Sequence, residues 1–189
     1  MNPPIRAAED REALIRGIQD GTIDCLITDH APHSAEEKSK GLAQSSFGIV
    51  GLETAFPSML HNMVLRNPLE KEAARVDRRE AKASASEILT EGGKTVHGAI
   101  SFYRLLELMC TRPREIFPIR GPKYIENGVE ADIAVLDLDS VYKVDPERFY
   151  TKGRSTLFAA QEVQGRVLKT FYQGREVYNS EKGIIEASN

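Results

Sequence analysis

Ile23-Asp24-Cys25-Leu26-Ile27-Thr28 is a short, largely apolar run rich in β-branched residues, and it ends in Asp29. Such a run predicts a buried strand. Ligands of α/β proteins gather at the carboxyl ends of strands, so Asp29 stands where chemistry is expected. Two of the chain's 4 histidines, His30 and His33, follow at once, with Pro32 stiffening the turn between them. Upstream, Glu9, Asp10 and Glu12 precede Leu14, Ile15 and Ile18. That pattern predicts a one-sided helix with acids at its positive end, stopped by Gly21. Loop, helix, strand and a loaded strand end make one unit of an α/β barrel or of a doubly wound sheet.

Downstream, Phe47-Gly48-Ile49-Val50-Gly51-Leu52-Glu53-Thr54 is a glycine-punctuated loop that opens a helix. Leu52, Ala55, Phe56, Met59, Leu60, Met63 and Val64 then recur at helical spacing. Pro57 fits only in a first turn, so the helix is expected to begin near Thr54. Met59 and Met63 read as core fillers and His61 as structural. Residues 67–99 turn dense in Glu, Lys, Arg and Ala, which suits a solvated helical face, and His97 reads as a surface-loop residue. Ser101 is placed to cap a helix carrying Phe102, Leu105, Leu106 and Met109, and Thr111-Arg112-Pro113 to start another.

From Gly121 the pattern changes to strands. Asn127-Gly128 marks a turn, Ile133 to Leu136 a strand, and Asp137 to Ser140 its end. Gln173-Gly174 joins two strands of a hairpin, and the polar tail after Asn179 is expected to fray. Two parts follow, an α/β part over residues 1–119 and a small β part over residues 120–189.

Composition narrows the class. In 189 residues, 41% are hydrophobic and 28% charged, the balance of a globular chain with a real core. A net charge of −3 carries no nucleic-acid signature. No apolar run approaches the roughly 18 residues of a membrane span, and the N-terminus has no signal-peptide pattern. Cys25 and Cys110 are expected to be buried free thiols of a cytoplasmic protein.

From the residues alone, Asp29 is a metal ligand or general base, or else a cap or turn residue. His33 could project from the stiffened turn into a pocket. Gly48 and Gly51 let backbone approach a small anionic or carbonyl-bearing ligand. A catalytic zinc needs three or more protein ligands, and this chain supplies part of such a set.

Asn2-Pro3-Pro4-Ile5-Arg6, Thr28-Asp29-His30-Ala31-Pro32-His33 and the Phe47–Thr54 loop, in that order, resemble the closing motifs of bacterial dihydroorotases of the amidohydrolase superfamily. Ile100–Met109 with Pro113, Glu126–Asp137, Gly165-Arg166-Val167 and Gly174–Tyr178 resemble later segments of the same family. The resemblance implies a zinc-dependent (β/α)₈ barrel that interconverts N-carbamoyl-aspartate and dihydroorotate in pyrimidine synthesis. This chain would be its C-terminal segment, residues 1–119 closing the barrel and residues 120–189 forming part of a small β-sandwich. Asp29 matches the aspartate that binds metal and moves the proton of the attacking water. Asn2 and His33 match residues that hold the substrate, and Phe47 and Gly48 match positions whose backbone meets its ring amide.

The departures are equally specific. The family's His-x-His, its metal-bridging lysine and its two later histidines have no counterpart here, so the remaining zinc ligands are expected outside this chain. Ser45-Ser46 stand where the family carries a proline, and residues 67–99 are longer than usual. The chain alone is expected to be inactive, and to self-associate or to pair with an N-terminal part. Two other readings are a non-catalytic binding or assembly module and a related cyclic amidohydrolase (dihydropyrimidinase, hydantoinase or allantoinase).

Overall fold

A computed structural model of the chain describes residues 7–41, 43–66, 86–89 and 95–186. The first helix, α1 (Ala8–Asp20), begins with Glu9 and Asp10 in its first turn and ends on Gly21 at φ +87°, as the acidic start and glycine stop predict. It turns Ile15 and Ile18 inward. A short helix, α2 (Ala35–Lys38), is closed by a capping box: Ser34 Oγ accepts from the Glu37 amide, and the Glu37 carboxylate accepts from the Ser34 amide. The helix α3 (Ala55–Met59) carries Pro57 in its first turn, where the missing N–H costs nothing. It continues as a π-helical turn over Leu60–Val64, in which the Leu65 amide reaches Leu60 O.

Two strands, β1 (Ser86–Leu89) and β2 (Thr95–Gly98), pair antiparallel. His97 therefore lies in a strand opposite Glu87, where a loop was expected. The remainder of residues 67–99, with its expected helical face, lies outside the described residues except for Ala99. Ser101 caps α4 (Phe102–Leu106), its Oγ accepting from the Arg104 amide at 3.0 Å. A π-helical turn (Glu107–Thr111) leads into α5 (Arg112–Ile116).

One core joins these pieces. Ile15, Ile18, Leu60, Met63, Val64, Ala99, Ile100, Leu105 and Leu108 form a buried cluster, with Met59 packed against its edge. The two methionines are core fillers, as their spacing indicates. Arg104 stitches the cluster's rim by donating to Ile18 O at 3.3 Å and Ile23 O at 3.1 Å. The thiols depart from expectation: both are free, but Cys110 is exposed and Cys25 only half-buried.

The second part is a four-stranded antiparallel meander in the order β3 (Ile133–Lys143), β4 (Glu162–Tyr172), β5 (Arg175–Asn179), β6 (Gly183–Ile184). Three of its features bear on the sequence reading. Gln173 and Gly174 both have positive φ, +49° and +74°, the signature of a type I′ hairpin turn. Asp137 does not end its strand. Its carboxylate accepts from the Asp139 and Ser140 amides and the Ser140 hydroxyl, so the chain bulges and resumes pairing at Val141. After Asn179 the chain turns back and pairs as β6 with Tyr178 and Asn179, so the tail is held at least to Ile184. The meander rests on α3, where Gly165 at φ +97° leaves space that Leu60 and Phe56 occupy.

The largest correction concerns Ile23–Thr28. It joins no ladder among the described residues. Its amide at Leu26 reaches Leu108 O at 3.0 Å, and only His30, beyond its end, forms a parallel bridge, with Ile49. Ile27 is 76% exposed. An apolar run becomes a buried strand only with neighbours on both edges, and the described residues provide none there. The fold is therefore α/β, without a barrel among the described residues.

Candidate active site

Asp29 opens the turn that carries both histidines. It is one of three non-glycine residues with positive φ among those described, at +44°, a conformation that Asp tolerates better than most side chains. Its carboxylate is exposed and meets no hydrogen-bond partner among the described residues.

The two histidines next to it are both engaged. His30 Nδ1 accepts from the Gly51 amide at 3.1 Å and the Leu52 amide at 3.2 Å. A nitrogen that accepts carries no proton, so the ring proton sits on Nε2, which faces Thr151 Oγ1 at 3.4 Å. His33 Nε2 lies 2.7 Å from Phe47 O, an acceptor only, so this nitrogen donates. His33 Nδ1 is 3.6 Å from Glu37 Oε2. The Ser34 amide and then its hydroxyl hold the Glu37 carboxyl below the usual carboxylate range.

The Phe47–Gly48 loop closes over this turn. A Cβ at Gly48 would sit 2.6 Å from Ala31 Cβ and 3.0 Å from His33 Nε2, and Gly48 has φ +123°, so glycine is required on both counts. Lys38 Nζ pins the loop by donating to Ser46 O at 2.9 Å and Gly48 O at 3.0 Å. The structure thus brings His33, Phe47 and Gly48 into contact, with Asp29 at the head of the same turn. Asn2 lies outside the described residues.

No motif in the sequence marks the residues that hold this turn from the far side. Glu53 Oε2 accepts from the Tyr150 amide at 2.9 Å and Oε1 from the Thr151 amide at 3.0 Å. The Val50 amide donates to Ser155 O at 2.9 Å. Gly153 is buried against Pro32 and Val50. Its glycine within a polar run is the only local mark of that docking.

A cavity of about 470 Å³ is lined by Glu53 and by residues that include Tyr142, Arg148, Tyr150, Arg166 and Tyr178. It contains none of Asp29, His30 or His33. Size alone favours this cavity. The motif turn is the better candidate because it gathers the ionisable groups and the glycine-lined backbone.

The described residues do not by themselves fit a metal ion. No group of three ligand-type side chains converges among them. His30 and His33 spend ring nitrogens on the chain itself, which leaves Asp29 as the one unengaged candidate ligand of the turn.

The surrounding fold has solved counterparts. The L-hydantoinase (dihydropyrimidinase) from Arthrobacter aurescens matches with a TM-score of 0.73 and 28% identity, over 98% of this chain and 35% of that one. A D-hydantoinase (dihydropyrimidinase) from Thermus sp. matches at 0.69 and 18% identity, over 98% and 35%, and speaks for the fold alone. The fold of this chain matches about a third of each of these two hydantoinases. In sequence, a dihydroorotase from Bacillus cytotoxicus is 36% identical over 185 residues, 98% of this chain and 36% of the relative. A dihydroorotase from Listeria monocytogenes serovar 1/2a is 39% identical over 179 residues, 95% and 34%. This chain is homologous to the C-terminal portion of the dihydroorotases, and spans about a third of the length of these relatives. No family model matches it.

Proposed function

We propose that this segment supplies one corner of a dihydroorotase site, which hydrolyses the cyclic amide of dihydroorotate to N-carbamoyl-L-aspartate and runs the reverse cyclisation in pyrimidine biosynthesis. The observation that supports it is the juxtaposition at one turn of a free carboxylate, Asp29, and a glycine-lined backbone loop, within a chain homologous to dihydroorotases along nearly its whole length.

Asp29 takes the proton of the attacking water as its oxygen bonds to the amide carbon, and returns a proton to the ring nitrogen as the C–N bond breaks. Zinc, when bound, lowers the pKa of that water. Asp29 would hold it from this turn, with the other ligands supplied from outside this chain. Asn2 and His33 hold the substrate, and the Phe47 and Gly48 backbone meets its ring amide. Residues 1–119 serve as the end of the barrel and residues 120–189 as part of the small β domain. The working protein is cytoplasmic and forms a homo-oligomer or associates with an N-terminal part. No described helix is long and apolar enough to cross a membrane.

Hydantoinase chemistry is the second reading, favoured by the L-hydantoinase match. Turnover of dihydroorotate, carbamoyl-aspartate and hydantoin, measured on a protein of the relatives' length that contains this segment, separates the two. Dihydroorotate turnover is expected; hydantoin turnover alone overturns the assignment. The 189-residue chain with added zinc is expected to turn over neither.

A further inference from the structure

The Asp29 carboxylate has no hydrogen bonds of its own among the described residues, so its direction is set through its backbone. That backbone holds a left-handed conformation at φ +44°. The chain just beyond it is held in two ways, by the Ala31 amide, which donates to Ile49 O at 2.9 Å, and by the His30 ring. Three contacts fix the His30 ring. The Gly51 and Leu52 amides donate to Nδ1, and Nε2–H faces Thr151 Oγ1. Two of these come from the glycine loop and the third from a residue 121 positions away in sequence.

Thr151 is itself held. Its amide and that of Tyr150 donate to the two oxygens of one carboxylate, Glu53, which stands two residues beyond Gly51. The circuit closes on itself: glycine loop to His30, His30 to Thr151, Thr151 to Glu53, and Glu53 back to the glycine loop. The close packing of Gly153 on Pro32 seats the same 150–155 loop on the Asp29–His33 turn.

We infer that Thr151 and Glu53 are positioning residues for Asp29: through His30 they fix one imidazole tautomer and one orientation of the turn. Neither touches the reacting groups. The inference rests on the reading that Asp29 is the working carboxylate, and it adds the loop at residues 150–155 to the parts on which that site depends.

The test uses the ¹⁵N-labelled 189-residue chain and reads the His30 imidazole nitrogens together with hydrogen exchange at the Gly51 and Leu52 amides. In the wild type, a protonated Nε2 and an unprotonated Nδ1 are expected; the opposite tautomer overturns the proposal before any substitution is made. Thr151→Val and Glu53→Gln should each speed exchange at both amides about tenfold and mix the two tautomers, and Thr151→Ser should restore both, because it keeps the hydroxyl. Exchange in Thr151→Val within about twofold of wild type overturns the proposal.

In a protein of full length with dihydroorotase activity, Thr151→Val should lower kcat about tenfold with KM little changed, as expected for a displaced catalytic group. A raised KM with intact kcat counts against it. The imidazole and exchange readouts do not depend on turnover. The expected tautomer in a protein that fails to hydrolyse dihydroorotate therefore upholds the positioning role of Thr151 and Glu53 and defeats only the functional reading.

Discussion

Gly153 lies against Pro32 so closely that a Cβ at position 153 would sit 2.8 Å from Pro32 Cβ and 2.8 Å from Val50 Cγ1. Neither neighbour can yield, since one is a proline ring and the other a valine that is 3% exposed. Gly153→Ala should therefore destabilise the 189-residue chain by about 1–3 kcal/mol, the range for overpacking. Gly174→Ala is the control, where nothing lies within 4 Å and only φ +74° opposes a side chain. Urea denaturation of both variants checks the contrast. An equal shift in midpoint would mean that the 150–155 loop is not seated on the Asp29–His33 turn.

Lys38 holds the Phe47–Gly48 loop through Ser46 O and Gly48 O. Hydrogen bonds to a charged group contribute about 1.5–3 kcal/mol, so Lys38→Met should loosen the loop by about that amount. Amide exchange at residues 45–49 should rise while exchange in α1 stays unchanged. Unaltered exchange at Gly48 would refute the role of Lys38.

Asp29→Asn should leave stability within about 0.5 kcal/mol of wild type, because the carboxylate is exposed and Asn also tolerates positive φ. In an active protein of full length, the same change should abolish dihydroorotate turnover, since an amide cannot accept the proton. Thermal melts and steady-state assays measure the two halves separately. Retained turnover would remove Asp29 from the chemistry.

His61 is 7% exposed, and its Nδ1 has no hydrogen-bond partner among the described residues. Burial, and then the nearby Arg66, push its pKa below the ordinary 6.5, against a smaller opposing pull from Glu162. The folded chain therefore refuses a proton that the unfolded chain accepts. Stability from this group is fully present above about pH 6.5 and is lost as pH falls below that value. Denaturation midpoints at pH 7.5 and 5.5 should differ in the wild type and differ less in His61→Leu. An equal difference in the two proteins would show that folding leaves the His61 pKa unshifted.

Where a feature depends on neighbours in sequence, the reading from residues succeeded. The Gly21 stop, the Ser101 cap, the first-turn Pro57 and the Gln173-Gly174 turn each follow from one residue's backbone limits or hydrogen-bonding groups, and each stands in the structure. Asp137 misled because the same carboxylate–amide bonds that end a strand can also build a bulge within it. Ile23–Thr28 misled because apolarity marks a wish for burial, and burial needs partners that no local pattern supplies.

The candidate site divides along the same line. The sequence by itself determined that a carboxylate, two histidines, a proline and a glycine loop stand close together, because they are neighbours along 26 residues of chain from Thr28 to Glu53. It could not say that His30 serves the structure and is turned away from ligand binding, nor that Thr151, Gly153 and Glu53 hold the turn. Those roles rest on contacts between residues 21 to 121 positions apart. Only the packing of the loop at residues 150–155 onto Pro32 and Val50 brings such groups within hydrogen-bond reach, and so only the tertiary structure decided them.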